Sequence, residues 1–466
     1  MNTIEKELKL SRNNLDNHLN RNNKSISVSK NTSNGIILRD LNFNTEIISF
    51  TGNDCNYSLI DKDKNLIDSN NIKMLTFNNC SFEYFPIIRS SNIWKVEFSN
   101  CNFYSSENLK SSILSCTNKN KKVYFNKCEF EAFHLGDISD IQYNSEVRLS
   151  FFDISECEFG ELTIENIEII SKFYINKQYD GNNSVCKIEK LLISNSIFRE
   201  NFKLHHCEVD EINIKDTDFE KNADFYKSHF KSGFILDEGK DLTDIYFQAI
   251  NFRGLTLFGD TIFDNKFHLK YITLEGASHF RNAKFKKGLD LDYTNVNMDN
   301  PINFFGIKGL SSKISKLNTS QETYRVIKYN FEELANKLEA NKYHNLELQK
   351  HRKNIYKKVK DWFFYDEKIK LSDLLDGIVS SIHWASSIHS SNWLLSLIWI
   401  FIVSYLTNLY LFNVYLPSLE CMFKYINILS KLEDFNQSYL VMTLNKVSLG
   451  YLYYQFLTAV RKDTRK

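Results

Sequence analysis

Three consecutive residues, His205, His206 and Cys207, come nearest in this sequence to a metal-ligand cluster. Imidazole and thiolate are the ligands zinc prefers. On an extended strand, neighbouring side chains point to opposite faces, so the two imidazoles should diverge and no metal is expected there. His383 and His389 lie just before an apolar run and are expected to be structural. The nine cysteines are Cys55, Cys80, Cys101, Cys116, Cys128, Cys157, Cys186, Cys207 and Cys421. Their number is odd and none forms a CxxC pair, which points to reduced, buried thiols rather than a zinc ribbon, a redox pair or a secreted disulfide framework. Asp218, Asp224, Asp290 and Asp292 are expected to be solvated surface charges. No GxxxxGK[ST], no GxGxxG and no HExxH occurs. The residues therefore predict no catalytic, cofactor or metal site, and no enzyme.

Composition narrows the class. Of 466 residues, 58 are Lys or Arg and 57 Asp or Glu, a net charge of +1. That balance argues against a nucleic-acid binder, and no nucleic-acid partner is expected. Three prolines and 15 glycines exclude collagen-like and Pro-rich architectures. Phenylalanine, at 37 residues, is heavily used. The first 35 residues are polar and Asn-rich, read as an arm with a short helix; no secretory leader is expected from them.

What must position these residues is a repeat. Phe77-x-x-Cys80-x-Phe82 returns as Phe98-x-x-Cys101-x-Phe103, as Phe125-x-x-Cys128-x-Phe130 and as Ile154-x-x-Cys157-x-Phe159. The frame persists with Ser196, Cys207, Thr217, Ser228, Ile250, Thr261, Ile272, Ala283 and Thr294 at its centre, a step of about 10.9 residues. The earlier steps are longer, and the one from Cys157 to Ser196 is read as holding a large insertion. A small residue flanked by large apolar ones at fixed spacing is what a stacked solenoid of short strands needs. The fold class expected is mainly β: a β-helix solenoid over 36–317, then a helical connector and interfacial helix over 318–390, then a two-span membrane hairpin over 391–466.

The pieces 128–133 (CEFEAF), 218–230 (DFEKNADFYKSHF) and 279–291 (HFRNAKFKKGLDL) resemble the pentapeptide-repeat family over roughly 36–305. That resemblance implies a right-handed quadrilateral β-helix. Here Phe stands where the family usually carries Leu. Glu322, Thr323, Arg325 and Lys328, followed by Ala340, Asn341, Lys342, Tyr343 and Glu347, resemble the connector of a bacterial subgroup of that family, implying a helical cap leading into membrane segments. Residues 391–393 and 450–466 resemble the same subgroup's membrane module. The charged connector residues are expected to serve helix capping and salt bridges.

In the connector, apolar spacing at Val326, Tyr329, Leu334, Leu338, Leu346 and Leu348 predicts helix, with a start at Ser320 and a break near Asn341. Residues 393–416 contain no charge across 24 positions, about 36 Å of helix, enough for a transmembrane span. Residues 439–460 form a second candidate, interrupted by Asn445 and Lys446, the latter expected to snorkel. Leu371, Leu374, Leu375, Ile378, Ile382 and Ala385 suit an interfacial amphipathic helix. Arg352, Lys353, Lys357, Lys358, Lys360, Lys368 and Lys370 precede the first span, and Arg461, Lys462, Arg465 and Lys466 follow the second; the loop between has only Lys424 and Lys431 against Glu420, Glu433 and Asp434. The positive-inside rule then places both termini and the solenoid in the cytoplasm of a bacterial inner membrane.

The function expected is a membrane-anchored scaffold: lipid contacts through 393–416 and 439–460, protein partners along the solenoid face, and self-association through the spans. Two alternatives stand beside it. One is an ion-channel-like subunit, although the TVGYG filter is missing from 417–438. The other is the DNA mimicry of gyrase-protecting pentapeptide proteins, which the net charge of −4 over residues 1–320 supports poorly.

Overall fold

The computed structural model describes residues 25–29, 47–57, 74–82, 94–104, 122–136, 146–147, 151–176, 185–234, 243–296, 300–365, 370–412 and 419–464. They divide into two compact units, Met1–Thr319 and Ser320–Lys466.

The first unit holds 27 described strands. All their pairings are parallel, most strands lying between partners one rung earlier and one rung later. The cause is strand periodicity. In Lys95–Ser99 and Lys122–Asn126, alternate residues are buried, so Val96 stacks on Val123 and Phe98 on Phe125. One column runs Phe77, Phe98, Phe125, with ring centroids 4.9 Å apart at each step and planes 9° off parallel. Further along, Phe225, Phe258 and Phe280 continue at 4.8 Å steps. A second column starts at Phe103, Phe130 and Phe159, at 4.7 and 4.6 Å. Ile188, Val209, Phe230, Phe263 and Phe285 extend it by register. Aromatic plugs therefore fill the interior in both columns, and burial of each ring removes a large apolar area from water.

The small residues form columns of their own, with a specific reason for being small. The amide of Cys128 donates to Cys157 Sγ at 3.4 Å, and that of Cys157 to Cys186 Sγ at 3.3 Å. The amide of Cys207 donates to Ser228 Oγ at 3.2 Å. The side chains donate in turn to carbonyls of the neighbouring rung: Cys101 to Phe77, Ser228 to Leu204, Thr261 to Phe225. Where Cys, Ser or Thr holds the corner, its side chain satisfies backbone groups that ladder bonds miss. The residue just before each corner has left-handed φ, as in Asn100, Lys127, Glu156, His206, Lys227, Asp260 and Asn282.

Three sequence expectations change here. The 10.9-residue step is half a rung: Cys207, Ser228, Thr261 and Ala283 make one column, while Ser196, Thr217, Ile250, Ile272 and Thr294 make another. Strand registers put Thr217 beside Ile250, whereas Cys207 pairs with Cys186. The presumed insertion between Cys157 and Ser196 contains a complete rung, Lys172–Asn176 and Cys186–Ser194, because Cys186 takes the column position that a run of extra residues had displaced. A strand, Ser25–Ser29, also occurs within the stretch read as a polar arm and pairs with Ile47–Tyr57. Cys116 lies outside the described residues, as does position 239, where the spacing from Ser228 to Ile250 skips one step of the repeat.

The last rungs are closed by helix α1 (Lys313–Asn318), whose N-cap Ser312 accepts from the Ser315 amide. Ser315 Oγ donates to the carbonyls of Phe285 and Lys286, Asn318 to that of Lys287, and Thr319 Oγ1 accepts from the Leu289 amide. Exposed ladder groups at a sheet end invite foreign strands; α1 occupies these.

The second unit is helical: α2 (Gln321–Glu333), α3 (Lys337–Tyr365), α4 (Leu371–Ser387), α5 (Trp393–Phe412), α6 (Leu419–Ile426) and α7 (Tyr439–Thr464). Ser320 caps α2 as expected, accepting from the Thr323 amide at 3.0 Å. The break comes at 334–336, where Ala335 is left-handed, and Asn341 sits inside α3. The buried face is Tyr324, Ile327, Phe331, Ala340, Tyr343 and Leu346, while Tyr329, Leu334 and Leu338 are exposed. Leu346 is buried as its spacing predicts, but the rest of the packed face runs through Tyr324, Ile327 and Phe331, whose polar sequence neighbours mask the pattern.

Only α5, among the described residues, is long and apolar enough to cross a membrane, and most of it is uncovered within the chain. The expected second span is present as helix α7 but does not meet that measure: Asn445, Lys446 and Gln455 interrupt its apolar face. Ile400 of α5 packs against Leu449 and Leu452 of α7.

Candidate membrane-anchoring site

The helical unit concentrates what the sequence marked as membrane-directed. Leu371, Leu375, Ile378, Val379 and Ile382 of α4 are all exposed, a continuous apolar stripe on a helix whose C-terminal Ser386 and Ser387 are buried. Trp362, Phe363 and Phe364, near the end of α3, are exposed too. The amphipathic indole of Trp362 suits a lipid–water interface, and the two apolar phenyl rings beside it add surface that lipid would cover.

Helix α4 stops at three successive left-handed residues, Ile388, His389 and Ser390. Each such non-glycine residue costs roughly 1–2 kcal/mol, so something must hold them. Ser387 Oγ accepts from the Ser390 amide at 2.8 Å. Ser387 and Ser390 both donate to Gln455 Oε1, at 3.0 and 2.8 Å, tying the corner to α7. Trp399 Nε1 and Ser396 Oγ of α5 donate to the carbonyls of Ala385 and Ser386. The structure thus brings His383 and His389 together, their Nδ1 atoms 3.3 Å apart. Burial, with the charges of His383, Arg352, His344 and Lys462, lowers the His389 imidazole to about 4.

The connector residues also converge. Glu347, 7% exposed, accepts from Arg325 Nε and Lys328 Nζ at 3.0 Å each, and Arg325 reaches Glu322 at 2.7 Å. Burial would raise the Glu347 carboxyl, but hydrogen bonds from His344, Lys328 and Arg325 bring it down to about 2. Tyr343 packs on Phe331, centroids 5.6 Å apart, and Ala340 is buried, whereas Lys342 turns outward to Glu339. Lys446 is half-buried, beside Asn445, whose Nδ2 donates to Thr407 of α5 at 2.8 Å.

In the strand unit, His205 and His206 do not diverge. His206 is the left-handed corner residue, so both rings lie near Tyr226, and His205 Nε2 is 2.5 Å from Asp224 Oδ2. Among the described residues, no three His, Cys, Asp or Glu side chains converge as metal ligands. The carboxylates are less solvated than expected. Asp224 and Asp290 are buried, because parallel stacking sets a basic side chain of the adjacent rung beside each. Asp218 accepts from Asn251 at 2.7 Å, and Asp292 donates its amide to Asp290.

Sequence reasoning missed His268. Its ring stacks on Tyr246 at 4.4 Å, with Nε2 3.0 Å from Asp244 and Nδ1 3.0 Å from Asp290. Lys266 reaches the same Asp290 oxygen at 3.0 Å. Burial opposes ionisation of Asp290, but His268, the Asp292 amide and Lys266 hold its carboxyl well below the usual range. The signal was present: Tyr246, His268 and Asp290 lie one rung apart.

Of the described cysteines, Cys101, Cys128, Cys157, Cys186 and Cys207 are free and buried, and Cys421 is free and exposed. The chain matches no protein-family model, no curated protein and no solved structure.

Proposed function

We propose that this chain is a membrane-anchored scaffold: a right-handed quadrilateral β-helix of the pentapeptide-repeat kind, held at a bacterial inner membrane by α5 and α7 with α4 lying in the interface. The carrying observation is α5, apolar along its length and largely uncovered within its own unit. The exposed apolar stripe of α4 supports it, since both surfaces call for lipid. Asn445 of α7 finds Thr407 of α5, so the more polar helix can enter with its polar groups turned to its neighbour. Both termini and the strand unit lie on the cytoplasmic side; the loop between α5 and α7 has Lys424 neutralised by Asp434 at 2.9 Å. The strand unit offers its outer face to protein partners and performs no catalysis.

Alkaline carbonate extraction and protease protection test this. The chain should stay with membranes at high pH, and protease should remove the strand unit in inverted vesicles but not in right-side-out ones. Release by carbonate sinks the anchor; the opposite protection pattern sinks the orientation.

A further inference from the structure

Beneath the α4–α5 corner, cations gather without a matching acid among the described residues. Arg352 lies on α3, its guanidinium 3.9 Å over the Trp384 ring. His383 and His389 belong to α4 and its corner, and Lys462 lies two turns beyond Gln455 on α7. Among the described residues, neither Arg352 nor Lys462 forms a salt bridge, and burial lowers both from their ordinary range. The remaining ionisable neighbours are engaged elsewhere. His344 sits 3.5 Å from Glu347, which Arg325 and Lys328 already hold, and Asp373 of α4 faces Lys358 at 3.8 Å. Helix α5 carries no Asp, Glu, Lys, Arg or His.

The hydrogen bonds fix the imidazole tautomers. Ser390 Oγ gives its proton to Gln455, so His383 Nε2 must donate to Ser390 at 3.0 Å. His383 Nδ1 is then an acceptor, and His389 Nδ1 donates to it. That leaves His389 Nε2 as a bare lone pair. It is buried, in a residue 1% exposed, and has no partner among the described residues. A buried acceptor without a donor costs free energy, and so does a group of cations without an anion. One proton on Nε2 and one anion nearby would satisfy the nitrogen and the charges together.

We propose that Arg352, His389 and Lys462 bind a phosphate-class oxyanion, and that binding carries one proton onto His389 Nε2. The anion comes from an anionic lipid headgroup or from free phosphate. The lipid source rests on the membrane reading above; the oxyanion site does not.

The full chain in a neutral maltoside detergent provides the test. Inorganic sulfate is the first probe, because its charge is constant from pH 6 to 8. Sulfate should bind with affinity rising towards tenfold per pH unit as pH falls, and the His389 imidazole should titrate higher in its presence. H389Q should keep weaker binding without the pH slope, and K462M should weaken binding at every pH. Inorganic phosphate and short-chain phosphatidylglycerol, with phosphatidylcholine as control, then separate the sources: a gain for phosphatidylglycerol over phosphate assigns the headgroup, the reverse a soluble anion. No sulfate-dependent shift at His389, a pH slope surviving in H389Q, or phosphatidylglycerol binding undiminished in K462M each overturns the site. Should a variant fail to fold, the His389 titration in the unaltered chain decides alone. Carbonate extraction is independent of all these readings, so loss of the anchor and loss of the site are distinguishable.

Discussion

Ser228 Oγ accepts the Cys207 amide at 3.2 Å and donates to the Leu204 carbonyl at 2.6 Å, joining two successive rungs at one corner. In earlier rungs a thiol fills the same place. S228A should destabilise the chain by about 1–3 kcal/mol, because the amide and carbonyl lose their partner in a dry interior. S228C should cost clearly less. Chemical denaturation in detergent, followed by far-UV dichroism, compares the two; equal losses would show that a thiol does not replace the hydroxyl's hydrogen bonds at the corner.

The Glu347 cluster makes the helical unit acid-sensitive. Its carboxyl titrates at about 2 when folded, against an ordinary 4.5. A depressed carboxyl contributes stability that is complete above its unfolded value and disappears as pH falls through the folded one. Thermal stability of the helical unit should therefore decline between about pH 5 and 2. E347Q should lower it by about 1–3 kcal/mol at pH 7 and flatten that decline. A variant with the same acid profile as the parent would remove Glu347 from the explanation.

Thiol labelling should separate the described cysteines sharply. Burial pushes the Cys128 and Cys207 thiols well above their ordinary range, and nucleophilic attack needs thiolate. Maleimide, mapped by peptide mass, should modify Cys421 in the native chain and reach Cys101, Cys128, Cys157, Cys186 and Cys207 only after denaturation. Native labelling anywhere in that column would mean its rungs open readily.

Between α5 and α7, Thr407 and Asn445 should couple by about 0.6 kcal/mol and at most roughly 2 in a double-mutant cycle of T407V and N445L. The order of the single variants is also fixed. Asn445 Oδ1 lacks a partner among the described residues, so N445L removes an unsatisfied carbonyl along with the hydrogen bond. T407V leaves the whole amide stranded and should be the more harmful. Unfolding of the detergent-solubilised chain reads both.

Much of the strand unit was legible because a column writes itself into the sequence as a small residue between apolar ones. What stayed hidden followed from geometry. Partners in a parallel ladder lie 21 to 33 residues apart here, as in Cys186 with Cys207 and Thr217 with Ile250. A half-rung step therefore looks like the whole repeat, and extra residues before Cys186 disguise a rung as an insertion. The same distance hid the Tyr246, His268 and Asp290 stack. In the helical unit, apolar runs announced α4 and α5, but the histidine corner depends on Gln455 of a helix far away in sequence, and nothing local to His389 reveals it.

The corner bonds have a practical corollary. The Asn176 carbonyl accepts from Cys186 Sγ at 3.3 Å, so the rung is re-entered at one fixed point whatever chain lies between. Foreign sequence spliced between those two residues should leave the aromatic stack undisturbed. That makes this junction a natural place for an epitope or a fluorescent reporter, and more broadly lets such a chain acquire new external segments without renegotiating its interior.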